Sequence, residues 1–159
     1  MTRSTRQIVE NLAPDLPPRP GAPKVSLCDS ALVAHLLGLT ADRLSRDPQH
    51  LGRLLENFVA MELRKQATWA ETPVSVYHYR TAAGREVDLI LEDSAGRIVG
   101  VEVKASTSFG KRDTAGLRAL AEDLGARFHR GALLYGGETV VPIGAKIDAL
   151  PVSALWCWS

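Results

Sequence analysis

Two strand-like runs joined by a short turn constrain this chain more than any other feature of its sequence. Residues 86–91 (EVDLIL) and 98–104 (IVGVEVK) are separated by a polar segment that contains a glycine. Side chains alternate between the faces of a strand, so Glu102 and Lys104 share one face and their valine neighbours share the other. A hairpin of the two runs would bring Asp88 beside Glu102, on one face of a sheet.

The composition indicates a globular domain with a core of its own. The 159 residues are 45% hydrophobic and 23% charged, as is typical of a water-soluble domain. The net charge is +1, so any contact with DNA must use a local patch rather than a basic field of the whole chain. Two cysteines without metal-ligand spacing, and the lack of a long apolar run or signal-like leader, favour a cytoplasmic protein with no membrane contact.

Prolines divide the chain into two regions. Five of them fall between positions 14 and 23, and this excludes a regular helix or a central strand there. We therefore interpret residues 1–23 as a proline-rich N-terminal arm and residues 24–159 as one domain.

Periodicity in the domain predicts an alternation of helices and strands. The patterns indicate a short strand at 24–28, helices over 31–37, 51–66 and 114–124, strands over 74–79, 86–91, 98–104 and 131–135, a polar connection at 47–50, and an apolar tail at 147–158 that docks Trp156 and Trp158. Asp29 or Ser30 is the expected cap of the first helix, and Gly38 its expected stop. The order predicts an α/β fold with a mixed β-sheet flanked by helices.

Asp88, Glu102 and Lys104 are the residues on which the functional hypothesis depends. Mg²⁺ (or Mn²⁺) prefers oxygen ligands and usually takes one or two carboxylates together with substrate phosphate. Asp88 and Glu102 are candidate ligands, and Glu56, at the border of the apolar stripe of helix 51–66, is a further candidate. Lys104 would position water and offset charge on the attacked phosphate.

These residues also have plainer interpretations. Glu102 and Lys104 could be an ion pair on an exposed strand, and Glu56 could be a solvated charge on a surface helix. The partner strand with Asp88, the apolar opposite face and the helix that follows favour a site.

A second set of residues suits contact with nucleic acid. Arg80 could bind a phosphate, or it could pair with Glu86 across the hairpin. Ser106, Lys111 and Arg112 follow the second strand and suit a DNA backbone, although a solvated loop explains them equally well.

Asp88, the run 102–104, the preceding helical Glu56 and the helix that follows resemble the core of PD-(D/E)XK nucleases, with Val87 in place of the proline of that motif. More closely, the ordered segments resemble a C-terminal domain of unknown function found in prokaryotic AAA-type ATPases. These segments are 24–32, 52–59, 77–80, 84–88, 101–106, 131–135 and 150–156. The resemblance implies a restriction-endonuclease-like core over residues 24–156.

The resemblance also implies an ATPase domain, and here the sequence departs from it. No G-x-x-x-x-G-K-[ST] phosphate loop occurs in the chain. We therefore expect a free-standing or truncated form of the module, with any ATPase partner supplied by another chain. The sequence hypothesis is a Mg²⁺-dependent nuclease-like domain acting on DNA, and the alternative is a non-catalytic DNA- or protein-binding, regulatory module that keeps the fold.

Overall fold

A computed structural model describes residues 26–80 and 86–157 of the chain. The predicted arm at 1–23, the beginning of the predicted strand at 24–28, the loop at 81–85 and Trp158 lie outside the described residues.

Helices precede and interrupt one sheet in this part of the chain. The helices are α1 (Ser30–Leu36), α2 (Ala41–Arg46), α3 (Pro48–Ala67) and α4 (Ala115–Leu124). The strands are β1 (Val74–Arg80), β2 (Glu86–Asp93), β3 (Ile98–Lys104), β4 (Phe128–Tyr135), β5 (Val141–Gly144) and β6 (Ile147–Pro151). Short 3₁₀ turns occupy Lys111–Thr114, Gly125–Arg127 and Val152–Leu155.

The six strands described here form a mixed sheet in the order β1-β2-β3-β4-β6-β5. β2 pairs antiparallel with β1 and with β3, whereas β4 pairs parallel with β3 and with β6. The edge strand β5 pairs antiparallel with β6. A parallel neighbour requires a crossover connection, which α4 provides between β3 and β4. The predicted mixed α/β sheet flanked by helices is confirmed.

Each face of the sheet is covered by one of the longer helices. Leu117 and Leu120 of α4 pack on one face, in a cluster that includes Val87, Ile90, Ile98 and Phe128. Val59 and Ala60 of α3 pack on the other, in a cluster that includes Leu89, Val101, Leu134 and Leu155. Neighbouring residues of β2, such as Leu89 and Ile90, therefore belong to different cores, as strand alternation requires.

The first helix has the predicted ends. The Asp29 carboxylate accepts hydrogen bonds from the N–H groups of Ala31 and Leu32, at 2.8 and 2.9 Å. Gly38 follows the helix with a φ of 62°, a conformation that glycine adopts without a Cβ penalty.

Two expectations for the region before residue 51 were wrong. Residues 26–28 are not in a strand. The predicted polar connection at 47–50 is instead the start of α3, where Asp47 accepts a hydrogen bond from the His50 N–H at 3.1 Å. Pro48 begins the helix, at a position where an N–H would have no helical partner.

The sequence patterns also missed α2, β5 and β6, the last of which lies within the predicted apolar tail. β5 is a short strand at the sheet edge with exposed residues, so its sequence carries little apolar alternation. In the tail, Leu155 is buried, but Trp156 is 50% exposed and packs against Phe58 with ring centroids 5.7 Å apart.

Within the described ranges, no helix combines the length and the apolar character that a membrane crossing demands.

Candidate active site

A bulge in β2 determines where Asp88 lies. Tyr79 pairs with Val87 and Tyr77 pairs with Ile90, so two residues of β2 oppose a single residue of β1. A bulge of this kind interrupts alternation and redirects the side chains at that point. Asp88 is one of the two residues in it.

His78 of β1 lies opposite the bulge and contacts both of its sides. Its Nδ1 lies 3.1 Å from the carbonyl oxygen of Asp88, and its Nε2 lies 3.1 Å from Oε1 of Glu86. Because a carbonyl oxygen only accepts, Nδ1–H is the donor of the first contact. The ring thereby fixes the backbone of Asp88 relative to β1.

The ladder between β2 and β3 ends beside this bulge. The last regular pair is Leu89 with Val101. One step further, Oδ2 of Asp88 accepts a hydrogen bond from the Val103 N–H at 2.8 Å. The Asp88 carboxylate therefore lies between the two strands, next to the residue that follows Glu102.

Lys104 lies on β3 and is held by the turn that leads into α4. Its Nζ lies 2.5 Å from Oδ1 of Asp113, and Oδ2 of Asp113 accepts the Gly110 N–H at 2.8 Å. The hydrogen bond from Lys104, helped by the one from Gly110, lowers the pKa of the Asp113 carboxyl from its ordinary value. Asp113 is therefore ionised near neutral pH and anchors the ammonium group.

Gly116 allows α4 to lie directly against Glu102. A Cβ at position 116 would lie 2.4 Å from Oε1 of Glu102 and 2.3 Å from the carbonyl oxygen of Glu86. Both distances are shorter than a van der Waals contact, so any larger residue here would displace the Glu102 side chain or the helix.

The predicted catalytic and metal-binding residues line one cavity. This first cavity has a volume of about 980 Å³ and is bordered by Glu56, Asp88, Glu102 and Lys104. Other charged residues that border it are Arg53, Glu86, Arg112 and Asp113. The structure thus brings together residues from α3, β2 and β3 and from the turn before α4.

The predicted nucleic-acid residues are divided between the cavity and the surface. Ser106 and Arg112 border the first cavity. Lys111 is exposed and does not border it. Arg80 does not border the cavity either. Its Nε lies 4.0 Å from Oε2 of Glu86, so Arg80 makes the pair with Glu86 that the sequence offered as the alternative to phosphate binding.

The donor atoms at this cavity suit a hard divalent cation only in part. Within residues 26–80 and 86–157, no three His, Cys, Asp or Glu side chains are gathered closely enough to hold a metal ion. Mg²⁺ commonly uses only one or two carboxylates, with water and phosphate oxygens completing its shell. Asp88 and Glu102 fit that smaller set, whereas Glu56 borders the cavity without completing a group of three.

Sequence reasoning missed several residues that shape the cavity. Asp113 could have been found, because it lies three residues after Gly110 at the start of a helix, where acidic residues often accept backbone N–H groups. His78, Glu86 and Gly116 gave no such signal, because their roles depend on contacts between separate elements.

The fold and the cavity define a mixed α/β domain with carboxylates and a lysine grouped at the point where two strands separate. The chain belongs to the family described as "Domain of unknown function (DUF4143)", whose family model matches residues 51–155. This family is typically associated with AAA-type ATPases, and the predicted resemblance is confirmed to that extent. No curated protein and no solved structure was found to match the chain.

Proposed function

We propose that this domain is a Mg²⁺-dependent (or Mn²⁺-dependent) nuclease-like module that acts on DNA phosphodiesters, built on a restriction-endonuclease-like core. The observation that carries the proposal is the meeting of Asp88, Glu102 and Lys104 at one cavity, where the ladder between β2 and β3 ends. The proposal includes a cytoplasmic location, as the sequence led us to expect.

The charge of the first cavity supports a requirement for a cation. Among the described residues that border it, five are acidic and three are basic. The acidic ones are Glu56, Glu86, Asp88, Glu102 and Asp113, and the basic ones are Arg53, Lys104 and Arg112. A phosphodiester entering this excess of negative charge would be repelled unless a bound cation offset it.

Each residue then has a distinct role. Asp88 and Glu102 would hold the cation, and Glu56, which borders the same cavity, would be a further ligand. The cation would supply charge neutralisation at the phosphate and a more acidic water. Lys104 would orient that water and stabilise negative charge on the phosphate, with its position set by Asp113.

Two observations favour the second candidate, a non-catalytic DNA- or protein-binding module that works with an ATPase. Lys104 is already paired with Asp113, and no three-residue metal group is present among the described residues. The association of the family with AAA-type ATPases points to the kind of partner such a module would regulate.

Titration calorimetry with Mg²⁺, combined with a DNA cleavage assay, tests the proposal. Asp88→Asn keeps an oxygen that can accept the Val103 N–H but carries no charge, so Mg²⁺ binding and cleavage should both be lost. Lys104→Ala should retain Mg²⁺ binding and lose about 10²-fold or more in turnover, because the lysine acts on water and phosphate.

Asp148→Asn is the charge-matched control, because Asp148 pairs with Arg130 and does not border the cavity. It should behave like the wild type in both assays. A wild-type protein that binds DNA but binds no Mg²⁺ or Mn²⁺ and cleaves no DNA would leave the binding module as the function.

A further inference from the structure

A second cavity opens beside the first. Its volume is about 260 Å³, and it shares Arg53, Glu56 and Asp88 with the first cavity. Tyr77 and His78 of β1 also border it. The two cavities therefore meet at Asp88, one of the two carboxylates proposed to hold the cation.

One face of α3 lies along this second cavity. Arg53, Asn57, Ala60 and Arg64 all border it and follow one another at helical spacing. At 1.5 Å per residue, the backbone positions of the two arginines are about 16 Å apart along the helix. Arg53 thus lies where the cavities join, and Arg64 lies three turns further along the helix.

Both arginines are available to an anion. Each is exposed, and neither side chain makes a hydrogen bond or an ion pair with another residue in the described part of the chain. Asn57, which lies between them on the helix, is by contrast hydrogen-bonded to the Leu27 backbone and to the Ser30 hydroxyl. A guanidinium group presents a planar fork of donors that matches two phosphate oxygens.

We propose that Arg53 and Arg64 bind phosphate groups of the DNA strand on which the first cavity acts. This inference rests on the proposed function and adds a direction to it, since the strand leaves the first cavity along α3. The second cavity has two arginines against two carboxylates, Glu56 and Asp88, so its lining is less acidic than that of the first. A DNA strand carries one charge per about 3.4 Å of helix axis, so the two forks would contact phosphates several nucleotides apart.

Fluorescence anisotropy with a labelled single-stranded oligonucleotide tests the inference in the full chain. Ca²⁺ replaces Mg²⁺ as a hard cation with oxygen ligands, and affinity is measured over a series of salt concentrations. Arg53→Gln and Arg64→Gln should each weaken binding several-fold and reduce the slope of log affinity against log salt by about 0.7, the contribution of one phosphate contact. The double variant should lose about twice that slope.

Arg130→Gln is the matched control. It removes the same charge from an exposed arginine near the start of β4. The first cavity lies at the other end of that strand, near Lys104, which pairs with the last residue of β4. Its slope should equal that of the wild type. If Arg53→Gln and Arg64→Gln also keep the wild-type slope, the inference is overturned while the proposed function stands. If the wild-type protein does not bind the oligonucleotide at all, both are overturned.

Discussion

Gly116 affects both the packing of α4 against the sheet and the position of Glu102 in the candidate active site. Gly116 is the second residue of α4, and glycine favours the helical conformation less than alanine does. At this position the missing Cβ leaves room for the Glu102 carboxylate and for the carbonyl oxygen of Glu86. The cost in helix propensity is thus offset by a close approach of α4 to β2 and β3.

Gly116→Ala should therefore destabilise the domain and weaken the proposed Mg²⁺ site. We expect a loss of about 1–3 kcal/mol in the free energy of unfolding, measured by urea denaturation, because the new methyl group overpacks the contact. Mg²⁺ affinity in calorimetry should fall together with it, since Glu102 must move.

Gly52→Ala provides the comparison, with the opposite expected sign. Gly52 lies in α3, and a Cβ there would have no neighbour within 4 Å. This variant should gain about 0.5–1 kcal/mol from helix propensity alone. Equal effects of the two substitutions on stability would contradict the role given to Gly116.

At the scale of elements, the bulge in β2 is the feature that positions Asp88 in the candidate site. A regular strand would continue the ladder between β2 and β3 past Leu89, and the Asp88 carboxylate would then have no place between the strands. His78 supports the bulge from β1, through the carbonyl oxygen of Asp88. The placement of Asp88 thus depends on a contact between two strands.

His78→Leu should destabilise the fold by about 1 kcal/mol, because it removes a hydrogen bond and leaves the Asp88 carbonyl oxygen without its donor. Mg²⁺ affinity should fall as well, since the Asp88 backbone is no longer held. His78→Asn places an N–H donor where Nδ1 lies and should restore most of both losses. Thermal unfolding and Mg²⁺ calorimetry measure the two effects, and an Asn variant as impaired as the Leu variant would contradict this role.

At the scale of the whole molecule, ionised carboxylates brace turns and helix ends in several places. The pKa values of Asp47, Glu62, Asp93 and Asp113 all lie below their ordinary values. The main causes are the His50 N–H for Asp47, the Lys65 ammonium for Glu62, the Arg97 N–H for Asp93 and the Lys104 ammonium for Asp113. Because of these groups, the stability of the entire domain depends on pH in the acid range.

The thermal midpoint should consequently fall as the pH is lowered below about 5. A carboxyl with a lowered folded pKa stabilises the native state above its unfolded pKa, which is 3.8 for Asp and 4.5 for Glu. This stabilisation is lost as the pH falls through the folded value, because the unfolded chain takes up protons first. Asp93→Asn, which removes one such group from the turn between β2 and β3, should flatten the profile; an unchanged midpoint down to about pH 3 in the wild type would refute the expectation.

Local sequence determined much of the framework of this protein. The central hairpin, the helices predicted at 31–37, 51–66 and 114–124 and the strand ending at Tyr135 follow from period-2 and helical patterns, because each pattern records which side chains must be buried. The first turn of the 48–67 helix did not follow from its pattern. The shared face of Glu102 and Lys104 follows from the same alternation. α2 and β5 were not predicted, because few of their side chains reach the core and their apolar patterns are therefore weak.

Only the tertiary structure decided how the candidate site is assembled. The bulge that carries Asp88, the pairing of Lys104 with Asp113 and the closeness of Gly116 to Glu102 each join elements that are separate in the chain. The proposed phosphate-binding role of the two arginines of α3 depends on Asp88, which the sheet places at the same cavity. A sequence pattern reports burial along one element, whereas distances between side chains of different elements depend on register and packing, and those exist only once the sheet and its two helices have come together.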